Sequence, residues 1–111
     1  MLNVEDIRKQ IVAGLNTSPK PAKAILFGSY AQGTPHDESD IDLVVILDRA
    51  GMSESYRALI NNRMEISKRL RALKRKYPVD ILVYTMDEWD ELRASNSSFI
   101  QKIETDGIAI L

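Results

Sequence analysis

Apolar residues recur along this chain with two different periods. Val4, Ile7, Ile11, Val12 and Leu15 fall on one face of a helix. Asn3, with Asp6 three residues later, suits a capping box at its start. The pattern fades at NTSPKP, where two prolines punctuate the chain. KAILF, residues 23–27, reads as a short buried strand that ends at Gly28. SYAQG, 29–33, predicts the start of a short helix with Gly33 as its stop, and TPHDES a loop. DIDLVVIL, 40–47, is rich in β-branched residues and predicts a second strand, with a turn over 48–53. The longest helical pattern runs from about Ser55 to Tyr77. Leu59, Ile66, Leu70, Leu73 and Tyr77 line its stripe, Tyr56 and Ile60 its margin, and Pro78 stops it. VDILVY, 79–84, predicts a third strand. Thr85 and Glu88 suit a capping box for a helix around Met86–Arg93, and Asn96 caps a last helix from about Ser97 to Thr105. Gly107 ends it, and IAIL closes the chain as an edge strand.

This order predicts an α+β fold, a small mixed β-sheet with helices packed mainly on one face. The long helical segment allows a parallel crossover between the second and third strands; the short connection between the first two does not require one. Strand order stays open. The length suits a single domain over 1–111, without repeats, low-complexity segments or linkers.

Composition narrows the function classes. A formal net charge of −1 gives no global electrostatic case for direct nucleic-acid binding or for an anionic membrane. The absence of cysteine excludes disulfides and thiolate metal sites. No apolar run approaches the ~20 residues that span a bilayer, and MLNVEDIRKQ is too polar for a signal peptide. The expected setting is the cytoplasm. In so small a domain the substrate site is expected to be an open groove, or to be completed by a partner.

The candidate chemistry lies in ILFGSYAQGTPHDESDID, residues 25–42. Alternation along a strand points Asp40 and Asp42 to one face, about 6–7 Å apart. Unpaired, the two carboxylates repel and one tends to stay protonated. A divalent ion removes the conflict, and hard oxygen ligands suit Mg²⁺ or Mn²⁺, with substrate phosphates filling the rest of the shell. Asp80 also stands early in an apolar strand; if that strand lies beside 40–47, Asp80 joins the pair. Three carboxylates can hold two ions about 4 Å apart, and the remaining acid can serve as base for an attacking hydroxyl. Upstream, Gly28 lets the backbone approach a ligand closely. A helix starting at Ser29 would offer free amides, a positive dipole end and a hydroxyl to a phosphate.

Other residues carry less. The bland reading of Asp-x-Asp alone is a solvated strand end, and Gly28-Ser29 upstream is what reverses it. Ser29 also suits a helix N-cap, and both roles hold together. His36, the one histidine, sits in a polar loop and reads as solvated; Tyr30 and Gln32 read as packing or exposed. The basic run from Lys68 to Pro78 reads as a solvated face, because Leu70 and Leu73 take the buried phase. Arg63 falls within about 40° of the Leu59–Leu70 stripe, and either snorkels or reaches a nucleotide in the substrate groove. Asp87, Glu88, Asp90 and Glu91 favour a helix dipole.

An apolar run, Gly28-Ser29, ten residues, then Asp40-apolar-Asp42, resembles the nucleotidyltransferase superfamily that includes DNA polymerase β. LFGSYAQGTPHDESDIDLVVI is most similar to its minimal nucleotidyltransferases, the MNT family; the motif resemblance spans Ala24 to Asp80, and every motif position is present. The resemblance implies a polymerase β-like palm. It implies that Asp40, Asp42 and Asp80 bind metal and act in catalysis, and that Gly28 and Ser29 hold the triphosphate. It also implies attack of an acceptor hydroxyl on the α-phosphorus of a nucleoside triphosphate, with release of pyrophosphate. Many minimal members pair with a helical HEPN toxin, whose tyrosine they adenylylate. By resemblance the chain is expected to move AMP from ATP onto such a partner as its antitoxin, within a hetero-oligomer. The alternative is an antitoxin that neutralises its partner by occlusion with little or no catalysis. Small-molecule transfer ranks lower, because relatives of that kind carry an acceptor domain in addition.

Overall fold

The computed structural model describes residues 4–17, 20–28, 31, 40–49, 56–95 and 97–111. Five helices and four strands occur among them: α1 (Val4–Leu15), β1 (Lys23–Phe27), β2 (Ile41–Leu47), α2 (Tyr56–Arg69), α3 (Arg71–Lys76), β3 (Val79–Thr85), α4 (Met86–Ala94), α5 (Ser98–Asp106) and β4 (Ile108–Ala109). The strands form one mixed sheet in the order β3-β2-β1-β4. β1 runs antiparallel to both β2 and β4, whereas β2 and β3 are parallel. The α2–α3 segment makes the connection that a parallel pair needs, and the closing IAIL segment lies on the sheet edge opposite β3.

Strand composition follows position. β2 is central, and all of its residues except Asp42 are buried. Such a strand reads as an apolar run and not as an alternation. Ile41, Leu43, Val45 and Leu47 face the larger core, which Ile7, Ile11 and Leu15 of α1, Ile66 of α2, and Leu70 and Leu73 share with Ala24, Leu26, Ile81 and Val83. Val44 and Ile46 face a smaller core with Ile25, Trp89, Ile100 and Ile103. Three helices thus cover one face, and the short α4 and α5 cover part of the other.

The predicted capping box is complete: Glu88 N–H donates to Thr85 Oγ1 at 3.1 Å, and Thr85 N–H to Glu88 Oε1 at 2.9 Å. The expected continuous helix from Ser55 to Tyr77 is instead two helices, joined at Leu70 with φ −106° and ψ 19°. Leu70 N–H is shared between Ile66 O and Ser67 O, both at 3.2 Å. The joint lies against α1: a methyl group at Gly14 would stand 2.6 Å from Arg69 O and 2.9 Å from Leu70 Cδ2. Periodicity does not register such a break, because Ile66, Leu70 and Leu73 all remain buried across it. The N-cap of α5 is Ser97, without a side-chain cap bond; the caps expected at Asn3 and Asn96, and the helix expected to start at Ser29, fall on residues outside those described.

Candidate functional site

Asp42 interrupts the apolar run of β2, and its register partners decide what it can do. It pairs with Asp80 of β3 on one side and with Phe27 of β1 on the other. Paired residues point to the same face of a sheet, so Asp80, Asp42 and Phe27 form a row across three strands, on the face of the smaller core. Asp40 precedes β2 by one residue. Ile41 N–H donates to Pro78 O at 2.9 Å. Pro78 therefore both follows the helical segment and anchors the register that brings Asp80 beside Asp42. Asp40 and Asp80 are exposed and Asp42 is half-buried, so the site is an open groove.

The three charges are felt. Burial holds the Asp42 carboxyl above its ordinary range, and Asp80 and then Asp40 raise it further. Among the described residues no cation pairs with any of the three. Gly28 ends β1 at φ +75°, and a Cβ there would collide with Asp42 Oδ2. Only glycine allows the backbone this conformation and this approach together. Ala31 N–H donates to Gly28 O at 3.1 Å. Ser29 and His36 lie outside the described residues.

These donors fit a hard divalent cation. They are oxygens, they carry uncompensated negative charge, and they open to solvent. Among the described residues, no group of three histidine, cysteine, aspartate or glutamate side chains forms a preformed metal cage.

Arg63 is elsewhere. It is exposed on α2 and its charge acts on Tyr84, four residues along β3 from Asp80 and so about 13 Å away by strand rise. Burial raises the Tyr84 hydroxyl, Glu88 raises it further, and Arg63 opposes both.

Sequence reasoning missed a cavity of about 230 Å³ lined by Phe27, Gly28, Asp42, Phe99, Ile103 and the pair Lys102 and Asp106. In sequence Phe99 is simply one more apolar residue beside Ile100; only the structure shows it 43% exposed while Ile100 is buried.

Comparison with known proteins shows the family. The family model described as polymerase beta, nucleotidyltransferase, matches residues 9–111. A toxin–antitoxin crystallised with AMP-PNP is similar at 30% identity and a TM-score of 0.57, over 99% of this chain and 73% of that one. A mutant of the toxin–antitoxin MntA-HpeT, with two Asp→Glu substitutions, is similar at 28% identity and a TM-score of 0.56, over 99% and 73%. A protein from Sulfolobus solfataricus described as a nucleotidyltransferase shares the fold at 19% identity and a TM-score of 0.57, over 96% and 77%. No curated protein matches the sequence. The chain belongs to the polymerase β nucleotidyltransferase family, alongside the minimal nucleotidyltransferases of the toxin–antitoxin type.

Proposed function

We propose that this nucleotidyltransferase moves AMP from ATP onto a hydroxyl, a tyrosine by preference, of a partner HEPN-type toxin, and so acts as its antitoxin in the cytoplasm. The observation that carries the reading is the register of Asp42 opposite Asp80, with the Gly28 backbone against the Asp42 carboxylate. The solved relatives add support: one toxin–antitoxin was crystallised with AMP-PNP, and the two substitutions in the MntA-HpeT mutant stand two positions apart, the spacing of Asp40 and Asp42.

In this reading Gly28 and Ser29 seat the triphosphate, glycine at 28 letting the chain come close to it. Asp40 and Asp42, with Asp80, hold Mg²⁺ or Mn²⁺. Bound there, such an ion would supply Lewis-acid polarisation of the α-phosphate and offset the charge of the pyrophosphate. Asp80, on the exposed side of the row, accepts the proton of the acceptor hydroxyl. The hydroxyl oxygen bonds to the α-phosphorus, the bond from that phosphorus to the bridging oxygen breaks, and pyrophosphate leaves with the electron pair. The chain orients the reactants and offsets charge; the open groove leaves the acceptor side to the partner.

The test is intact mass of the partner toxin after incubation with the chain, Mg²⁺ and ATP. A gain of one or more AMP units, lost in Asp40→Asn/Asp42→Asn, is the expected result. If the double variant still modifies the partner, the mechanism is wrong. If it does not modify but still neutralises fully, the chain acts by occlusion.

A further inference from the structure

We infer that the cavity between β1 and α5 receives the nucleobase of the nucleotide, with Phe99 as its stacking wall; this rests on the nucleotidyl-transfer reading above. The cavity is continuous with the proposed phosphate and metal groups, because Gly28 and Asp42 line it as well. At about 230 Å³ it lies below the roughly 300 Å³ at which pockets for drug-sized ligands begin. It therefore suits a single planar ring system, with the ribose and phosphates outside toward Gly28.

The walls have the chemistry of a base site. Phe27 and Phe99 meet edge to face, with ring centroids 6.0 Å apart and planes at 85°, so one ring's edge braces the other. Phe27 is set by its register opposite Asp42. Phe99 is 43% exposed although Ile100 and Ile103 of the same helix are buried. An aromatic left that open beside Gly28 and Asp42 is a surface on which a base can stack. Asp106 and Lys102, one turn apart on α5, bring an acceptor and a donor to the rim. An exocyclic amino group next to a ring nitrogen, as adenine presents, matches that pair.

The division of labour makes the inference testable. Phe99 would touch the base alone, whereas Gly28 and the aspartates would touch only the phosphates and their ion. Calorimetric titration of the whole chain in Mn²⁺ with a non-hydrolysable ATP analogue, and separately with inorganic tripolyphosphate, separates the two. Phe99→Ala is expected to weaken the analogue about ten-fold or more and to leave tripolyphosphate unchanged. Phe99→Leu, which keeps apolar bulk and so guards against a folding defect, should weaken the analogue selectively too. If Phe99→Ala and Phe99→Leu leave the analogue unaffected, or weaken both ligands equally, the base site is wrong while the transfer reading stands. If the unaltered chain binds neither ligand, the transfer reading fails and the base site with it.

Discussion

Asp42 and Asp80 stand directly opposite each other across the parallel pair of β2 and β3. Neighbouring strands lie about 4.8 Å apart, so two carboxylates separated by 38 positions in sequence become immediate neighbours. Like charges placed opposite each other destabilise a sheet. The arrangement makes sense when a cation is drawn between them, and the predictions below use that conflict.

Because burial and the charges of Asp80 and Asp40 raise the Asp42 pKa above 3.8, the folded chain holds a proton there more tightly than the unfolded chain. The stability this lends is full below the ordinary value and is lost as pH rises through the raised one. A divalent ion competes with the same proton. Thermal melts with and without Mg²⁺ should therefore show little stabilisation by the ion at acidic pH and a growing gain toward neutrality. At an ion concentration about 100 times the dissociation constant the gain is about 2.7 kcal/mol, or roughly 11–22 °C for a domain of ~100 residues.

Asp42→Asn removes the conflict and the ligand together. Its melting temperature without added ion should equal or exceed that of the parent near neutral pH, and Mg²⁺ should no longer raise it. A variant less stable than the parent in chelator would show that the carboxylate is satisfied by the protein itself.

Gly28→Ala places a Cβ at φ +75° and against Asp42 Oδ2. The conformation alone costs about 1–2 kcal/mol, which lowers the melting temperature by roughly 4–16 °C. Displacement of Asp42 should also reduce the response to Mg²⁺, read in the same melts.

Gly14→Ala tests the opposite side of the sheet. Its Cβ would press on Arg69 O and Leu70 Cδ2 at the joint between α2 and α3, an overpacking cost of about 1–3 kcal/mol. The expected result is a lower melting temperature with the gain from Mg²⁺ intact, since the larger core and the aspartates occupy opposite faces.

Thr85→Ala removes one half of the capping box at α4. Loss of an N-cap costs about 0.5–2 kcal/mol, measurable by denaturant titration, and nucleotide binding should be unaffected because Thr85 stands at the far end of β3 from Asp80.

Local physics made much of the fold legible in the sequence. Apolar periodicity located β1, β2, β3 and α1, because side-chain phase and burial are the same information read twice. Thr85 and Glu88 identified the start of α4, because a capping box is completed within four residues. The alternation that puts Asp42 on the face opposite Ile41 and Leu43 is likewise a property of the strand itself. Strand order, the break at Leu70 and the surroundings of Phe99 were hidden, because each depends on contact between segments distant in the chain. Asp80 lies beside Asp42 only through the parallel register of β2 and β3, and Phe27 joins the row only through antiparallel pairing. The sequence alone determined which residues have the chemistry for a site; the sheet register, a matter of long-range hydrogen bonds that leave no local trace, decided which of them meet.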